Sequence, residues 1–273
     1  MVCVVCGARP VAGESARCFA CAEAAPNWPR DYRSAQGLAV AVTVLLVLSG
    51  LLALALLVSD VFGLRAVDAV LADGADTEAF DALDALESLW SLTAGLSVLT
   101  LVATAVLFVL WFQRIRANAD LFAPHGHKHS SGWAVGAWFT PVVNLWFPWR
   151  LVVDCWQASA PVDAEGQRRI VSQALVSTWW VSWVGSLVLG RVASVVSRSV
   201  ASEAMGRSAA FEEVRSALQW EIAASALRAV AAVLVVLVVW RLTGMQQARA
   251  AMVVRLAFRP GQVAVPGVPT VGS

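Results

Sequence analysis

Residues 37–58 read GLAVAVTVLLVLSGLLALALLV, and no charged residue falls between Arg33 and Asp60. At 1.5 Å rise per residue, a helix of that length reaches roughly 33 Å, enough to cross a hydrocarbon core of roughly 30 Å. The stretch predicts a membrane span, and the rest of the chain repeats the pattern. Residues 88–113 are again uncharged, with Trp90 and Trp111 near the ends, where amphipathic indoles favour the headgroup level. A third run covers 170–190 and stops at Arg191. A fourth covers 222–240 and is interrupted by Arg228, which either snorkels to the interface or pairs with Glu221 on the same helical face.

Composition agrees with four spans. Of 273 residues, 59% are hydrophobic and 14% charged, against about 45–50% and about 25% in soluble domains. Mean hydropathy is +0.68. A water-soluble enzyme, a disulfide scaffold and a disordered chain are all disfavoured. No cleavable signal peptide is expected, because the first apolar run follows a polar, Cys-bearing stretch.

Between the first two spans lie eight acids (Asp60, Asp68, Asp73, Asp76, Glu78, Asp81, Asp84, Glu87) and one base, Arg65. Apolar residues recur there at helical spacing. This predicts two short amphipathic helices broken at Asp73-Gly74, with the acids on a solvated face. A calcium loop lacks the alternation of oxygen ligands it would need. Residues 192–220 read as helical and partly amphipathic. The Pro- and Gly-rich end, 257–273, is expected to be a flexible tail.

Four spans with both ends inside leave fourteen Lys and Arg in the cytoplasm and five outside. The positive-inside rule therefore selects a plasma-membrane protein with cytoplasmic N- and C-termini.

The remaining stretch resists a simple span. Residues 129–149 read HSSGWAVGAWFTPVVNLWFPW, uncharged but broken by Pro141, Asn144 and Pro148. Proline removes a backbone donor, so a lipid-exposed helix is awkward here. A fifth span would also move the basic C-terminal end outside. We expect a Trp-rich re-entrant or interfacial element over 130–158, with a helix entering, a turn near Thr140 to Leu145 and a helix leaving. The fold class is thus an all-α membrane protein, with four transmembrane helices within 37–245 plus this segment.

Several of these residues carry a resemblance. Trp111-Phe112-x-Arg114-x-Arg116-x-Asn118-Ala119, Ser131-Gly132-Trp133-Ala134-Val135-Gly136, Trp138-Phe139-x-Pro141-Val142-Val143-Asn144-Leu145-Trp146-Phe147-Pro148 and Asp154-x-Trp156-x-Ala158-Ser159 resemble the signature of an uncharacterised actinobacterial multi-pass membrane family, domain of unknown function four-three-two-eight. The resemblance covers residues 37–245 with the spans included, and its specific part is 111–159. It implies a multi-pass membrane protein, often with a small N-terminal zinc-binding piece, and no activity.

The strongest chemical signal is Cys3-x-x-Cys6-Gly7 with Cys18-x-x-Cys21. Two such knuckles can supply four thiolates to a tetrahedral ion. A closed four-cysteine shell leaves no open position, so a zinc ribbon over residues 1–25 is structural, followed by a linker over 26–36. A rubredoxin-type iron centre fits the same spacing. The chain's three histidines, His125, His127 and His129, alternate in one loop and form a weaker metal candidate, opposed by Lys128 and by the lack of an adjacent acid.

A polar cluster flanks the Trp-rich segment. Arg114 and Asn118, and Arg116 and Asp120, are four apart and could form an anion clamp for lipid phosphate, though a snorkelling belt is the simpler reading. Arg150 and Asp154 are also four apart. Asp154 needs a partner, with Arg150, Arg114 or Arg116 as candidates, which suggests an ion pair fixing the segment. Asn144 would bond backbone groups freed by the prolines. No Gly-rich phosphate loop, Ser/His/Asp arrangement or basic nucleic-acid stripe stands out.

Three functions compete. The first is a non-enzymatic scaffold or regulatory protein in the lipid bilayer, presenting its zinc ribbon to a protein partner or to a second copy. The second is a small transporter or channel using the broken segment and Asp154. The third is a lipid-modifying enzyme using the histidines and Asp154.

Overall fold

The computed structural model describes residues 3, 10, 31–73, 77–123, 129–161, 170–200 and 207–257. Among these residues there are six α-helices, one 3-10 turn and no strand. The helices are α1 (Gln36–Asp73), α2 (Thr77–Phe122), α3 (Trp133–Phe139), α4 (Phe147–Ala158), α5 (Ala174–Val200) and α6 (Arg207–Ala257), with the 3-10 turn at Val143–Leu145. Four of them, α1, α2, α5 and α6, are long and apolar enough to cross a membrane.

Each long helix overshoots its span. The 51 residues of α6 measure roughly 75 Å, more than twice the hydrocarbon thickness. The acidic region does not form two separate short helices. It continues the two spans as the end of α1 and the start of α2, which meet at the expected break after Asp73. The reason is cooperative: once a span is helical, each added residue gains a hydrogen bond without a new nucleation cost. Residues 192–220 behave likewise, extending α5 to Val200 and starting α6 at Arg207.

In the bundle, α1 lies between α2 and α6, and α6 lies between α1 and α5. Neighbours run antiparallel. Gln36 at the start of α1 meets Gln247 near the end of α6, whereas Asp68 near the end of α1 meets Arg215 near the start of α6. The beginning of α1 and the end of α6 therefore share one end of the bundle.

Small residues permit the close approaches. A Cβ on Gly50 of α1 would lie 3.2 Å from the Ala232 Cβ of α6, and one on Gly185 of α5 would lie 3.2 Å from Leu227. Lipid offers apolar side chains as good a home as a neighbouring helix does, so such dispersion contacts and interhelical hydrogen bonds hold a membrane bundle together. Outward-facing Val44, Leu92 and Leu99 are each more than 60% exposed. Apolar surface on that scale suits a lipid-facing belt.

The broken Trp-rich segment is a helix–turn–helix. The seven residues of α3 and twelve of α4 are too short to cross. They lie against α2 and α5 at the end that carries the start of α1. There Phe108, Trp111, Phe112, Trp138, Trp156, Trp179 and Trp180 form one aromatic core with Val238, Val239 and Leu242 of α6. Trp138 meets Phe108, Phe112 and Trp180 edge to face, with ring centroids 5.2 to 6.0 Å apart. Trp111 departs from the expectation of an interface anchor. It is fully buried, and its indole N–H donates to Thr243 Oγ1 at 3.1 Å. Its neighbours Phe108 and Phe112 surround it on the inner face of α2, so the amphipathic ring is satisfied inside.

Candidate functional site

The polar residues expected to flank the Trp-rich segment do come together, but largely with other partners. Asn118 is 1% exposed. Its amide donates to the Arg33 carbonyl at 2.9 Å and to Gln246 Oε1 at 3.1 Å, and its Oδ1 accepts from the Arg33 backbone N–H at 3.3 Å. Gln246, equally buried, donates to the Ile115 carbonyl at 2.9 Å and to Ser159 Oγ at 3.1 Å. Arg249 donates to the carbonyls of Ala158 and Ala160 at the end of α4, and its guanidinium lies over the Phe122 ring at 5.1 Å. One buried network thus joins the approach to α1 with α2, α4 and α6. Residues 31–35, expected to be linker, are part of it at Arg33.

The anion clamp is not what these groups form. Arg116 is 4% exposed and pairs with Asp120, while its second nitrogen donates to the His129 carbonyl at 2.8 Å. With Asn118 also engaged, neither is available to a lipid phosphate. Arg114 is half-buried. Among the described residues no ion pair joins Asp154 to Arg150, Arg114 or Arg116, and Arg150 is exposed. Asp120, one helical turn along α2 from Arg116, takes the guanidinium instead.

Asn144 is exposed and does not repair the broken backbone. Trp180 does so for one carbonyl of the turn. The Trp180 indole donates to the Leu145 carbonyl at 2.8 Å, while Thr140 Oγ1 adds a second bond, 2.7 Å, to the Gly136 carbonyl that already accepts the Thr140 backbone N–H. Trp149 adds a bond to Ser177 Oγ at 3.3 Å. The segment is pinned to α5 by indoles rather than by an ion pair.

Of the metal candidates, Cys3 is buried, and Cys6, Cys18 and Cys21 lie outside the described residues, as do His125 and His127. His129 packs edge to face on Phe147, with centroids 4.8 Å apart. Among the described residues no three His, Cys, Asp or Glu side chains gather as a metal ligand set. Cys155 on α4 is fully buried, and burial pushes its thiol pKa upward, against a smaller opposing effect of Arg116.

A second polar centre lies at the opposite end and was not expected as a site. Arg228 pairs with Glu221, one of its two anticipated alternatives, and also donates to Ser225 Oγ at 3.3 Å. A Cβ on Gly190 would lie 3.4 Å from the Arg228 guanidinium, so this glycine lets α5 sit directly on the pair. Asp60, expected on the solvated acidic face, is 1% exposed. Its Oδ2 accepts a long bond from Ser225, 3.5 Å, and the Trp90 indole is turned to the same carboxylate as a further donor, whereas its Oδ1 has no partner at normal hydrogen-bond geometry. The helix phase turns Asp60 toward α6, whereas Asp68, two turns on, stays half-exposed and bridges to Arg215. These groups border a cavity of about 850 Å³, lined also by Trp90, Ser186, Arg191 and Arg198. The available signal was an acid directly abutting an apolar span, which marks a carboxylate the fold must accommodate.

Four apolar helices, a lipid-suited outer surface and a pinned helix–turn–helix define an all-helical protein of multi-pass membrane type. The chain belongs to the family described as Domain of unknown function (DUF4328), whose profile matches residues 73–244. The match runs from the last residue of α1 to within α6, so the first span and Asp60 precede it, whereas the resemblance read from the sequence began at residue 37. No curated protein and no solved structure matches the chain.

Proposed function

We propose that the protein is a non-enzymatic scaffold of the plasma membrane that presents a structural zinc ribbon, Cys3, Cys6, Cys18 and Cys21, to a cytoplasmic protein partner. The observation that carries this reading is the double hydrogen bond between Asn118 and the backbone of Arg33. It ties the chain just ahead of α1 to a buried network spanning three other helices. A segment that follows the Cys-rich stretch thereby leaves the bundle from a fixed point, as a presenting platform requires. Arg33 ahead of α1 and Arg241 and Arg249 in α6 lie at that end of the bundle, and the basic character of the N-terminal and C-terminal stretches of the sequence supports its being cytoplasmic. The cytosol is also the reducing compartment in which thiolates hold metal.

The network argues against transport through the broken segment. Alternating access needs that segment to move, yet its turn, its second helix and the loop beyond are held by Trp180, Trp149 and Arg249.

The test is metal and partner analysis on full-length protein purified gently from native membranes. One zinc per chain is expected, lost in Cys3→Ser with Cys6→Ser, together with loss of the co-purifying partner and unchanged membrane insertion. A variant that keeps its zinc, or keeps its partner after losing zinc, overturns the reading. Terminal tags reporting opposite faces of the membrane overturn the topology.

A further inference from the structure

We propose that the cavity between α1, α5 and α6 binds an ammonium–phosphate zwitterion, the chemistry of an ethanolamine phospholipid headgroup, with the ammonium on Asp60 and the phosphate on Arg191 and Arg198. The site is independent of the Cys ribbon and lies at the other end of the bundle.

The argument begins with Asp60. A carboxylate that is 1% exposed with one oxygen unpartnered is unfavourable unless a donor reaches it. The resident cation acts on Asp60 only at a distance: Arg228 is bonded to Glu221 and Ser225, and the nearby Glu221 charge opposes it, so the pair leaves Asp60 without a cation of its own. Trp90 borders the same space with its indole N–H turned to Asp60, a neutral donor that leaves the carboxylate charge uncompensated, and its ring face is a favourable wall for an organic ammonium. The second half of the site is cationic. Arg191 and Arg198 are two helical turns apart, so they share a face of α5, and both are exposed. Among the described residues neither is in an ion pair, and Arg198 uses Nε on the Ser194 carbonyl. Guanidinium groups suit phosphate oxygens. Ser194 and Ser197 lie between them on the same wall.

Both signs in one cavity narrow the ligand. A simple cation meets the two arginines, and a simple anion meets Asp60. A zwitterion satisfies both. The apolar run of α5 ends at Gly190, so the site lies at headgroup depth, and Leu187, Val214 and Leu218 supply an apolar wall for the start of acyl chains. A volume of about 850 Å³ falls within the usual range of small-molecule sites, roughly 300–1,000 Å³.

The experiment uses the full chain in dodecyl maltoside, titrated with dihexanoyl phosphatidylethanolamine, dihexanoyl phosphatidylglycerol or free phosphoethanolamine and read by native mass spectrometry. Phosphatidylethanolamine should bind at least tenfold more tightly than phosphatidylglycerol. Asp60→Asn should remove that preference. Arg191→Gln with Arg198→Gln, at exposed positions in no ion pair among the described residues, should weaken phosphatidylethanolamine binding tenfold or more with the helical circular dichroism unchanged. Free phosphoethanolamine competing as well as the lipid would assign the site to the soluble zwitterion; failure to compete would assign it to the lipid. Equal binding of the two lipids by the wild type, or wild-type binding by the double arginine variant, overturns the proposal.

Discussion

Asn118 and Gln246 are 128 residues apart in the chain and share a hydrogen bond of 3.1 Å, with both side chains 1% exposed. Each amide is used at both ends. Asn118 links to the backbone ahead of α1, and Gln246 to the Ile115 carbonyl and to Ser159 beyond α4. Interhelical hydrogen bonds in membrane bundles average about 0.6 kcal/mol each, with the best near 1.7. Removing three at once is worth about 2 kcal/mol, and more if orphaned partners stay dry.

Gln246→Leu should therefore lower bundle stability by about 2 kcal/mol, measured by denaturant unfolding in detergent with helical circular dichroism. Gln247→Leu is the control, because Gln247 is on the partly exposed neighbouring face and bonds only Gln36. Equal effects of the two changes would show that the network contributes nothing specific.

Gly190→Val tests the other end. Its Cβ position is 3.4 Å from the Arg228 guanidinium and 3.9 Å from Glu221, and the added methyls have to push the ion pair aside. Overpacking of this kind costs typically 1–3 kcal/mol. Gly95→Val, with no atom within 4 Å of the new Cβ, should cost far less. The same unfolding assay separates them; a neutral Gly190→Val would mean that α5 yields freely at this point.

Hydropathy made the four spans legible, because the signal is local: a charge-free run of that length has few homes outside lipid. The turn at Thr140 to Leu145 was legible from Pro141 and Pro148 for the same reason. What was hidden depended on partners far away in sequence. Nothing near Asn118 announces Gln246. The spacing of Arg150 and Asp154 suggests an ion pair, but the helix turns Arg150 outward. Asp60 looked like the first of eight solvated acids, and only the helical phase of α1 against α6 shows that it is buried. The helices run past the apolar runs because helix continues wherever neighbouring extensions support it, as Asp68 and Arg215 do.

Cys155 predicts a pH response. Burial raises its thiol pKa above the ordinary value, so the folded state favours the protonated form. Its contribution to stability is fully present below the unfolded thiol pKa, about 8.5. It is lost as pH climbs from there toward the higher folded pKa. At pH 8 iodoacetamide should leave Cys155 unmodified in the folded protein and label it only on unfolding, as read by peptide mapping. Labelling of Cys155 at the rate of a free thiol, with the helical signal intact, would refute its burial.

The turn between α3 and α4 predicts the opposite kind of mutation, one that stabilises. Val142 has φ 65° and ψ −48°, and the Val143 N–H donates to the Pro141 carbonyl at 2.7 Å. This is a three-residue γ-turn in its strained form, centred on a β-branched residue. Positive φ brings Cβ against the following carbonyl, and such conformations cost about 1–3 kcal/mol. Val142 is 66% exposed, so its side chain returns little packing within the bundle. Glycine accepts this φ without a clash, at an entropic cost of about 0.5–1 kcal/mol. Val142→Gly should then raise stability by about 1 kcal/mol. Val142→Ala should give much less, because Cβ is what clashes. A Val142→Gly protein that unfolds earlier than the wild type would show that the valine side chain holds the turn through its apolar surroundings, and that the strain is the lesser effect.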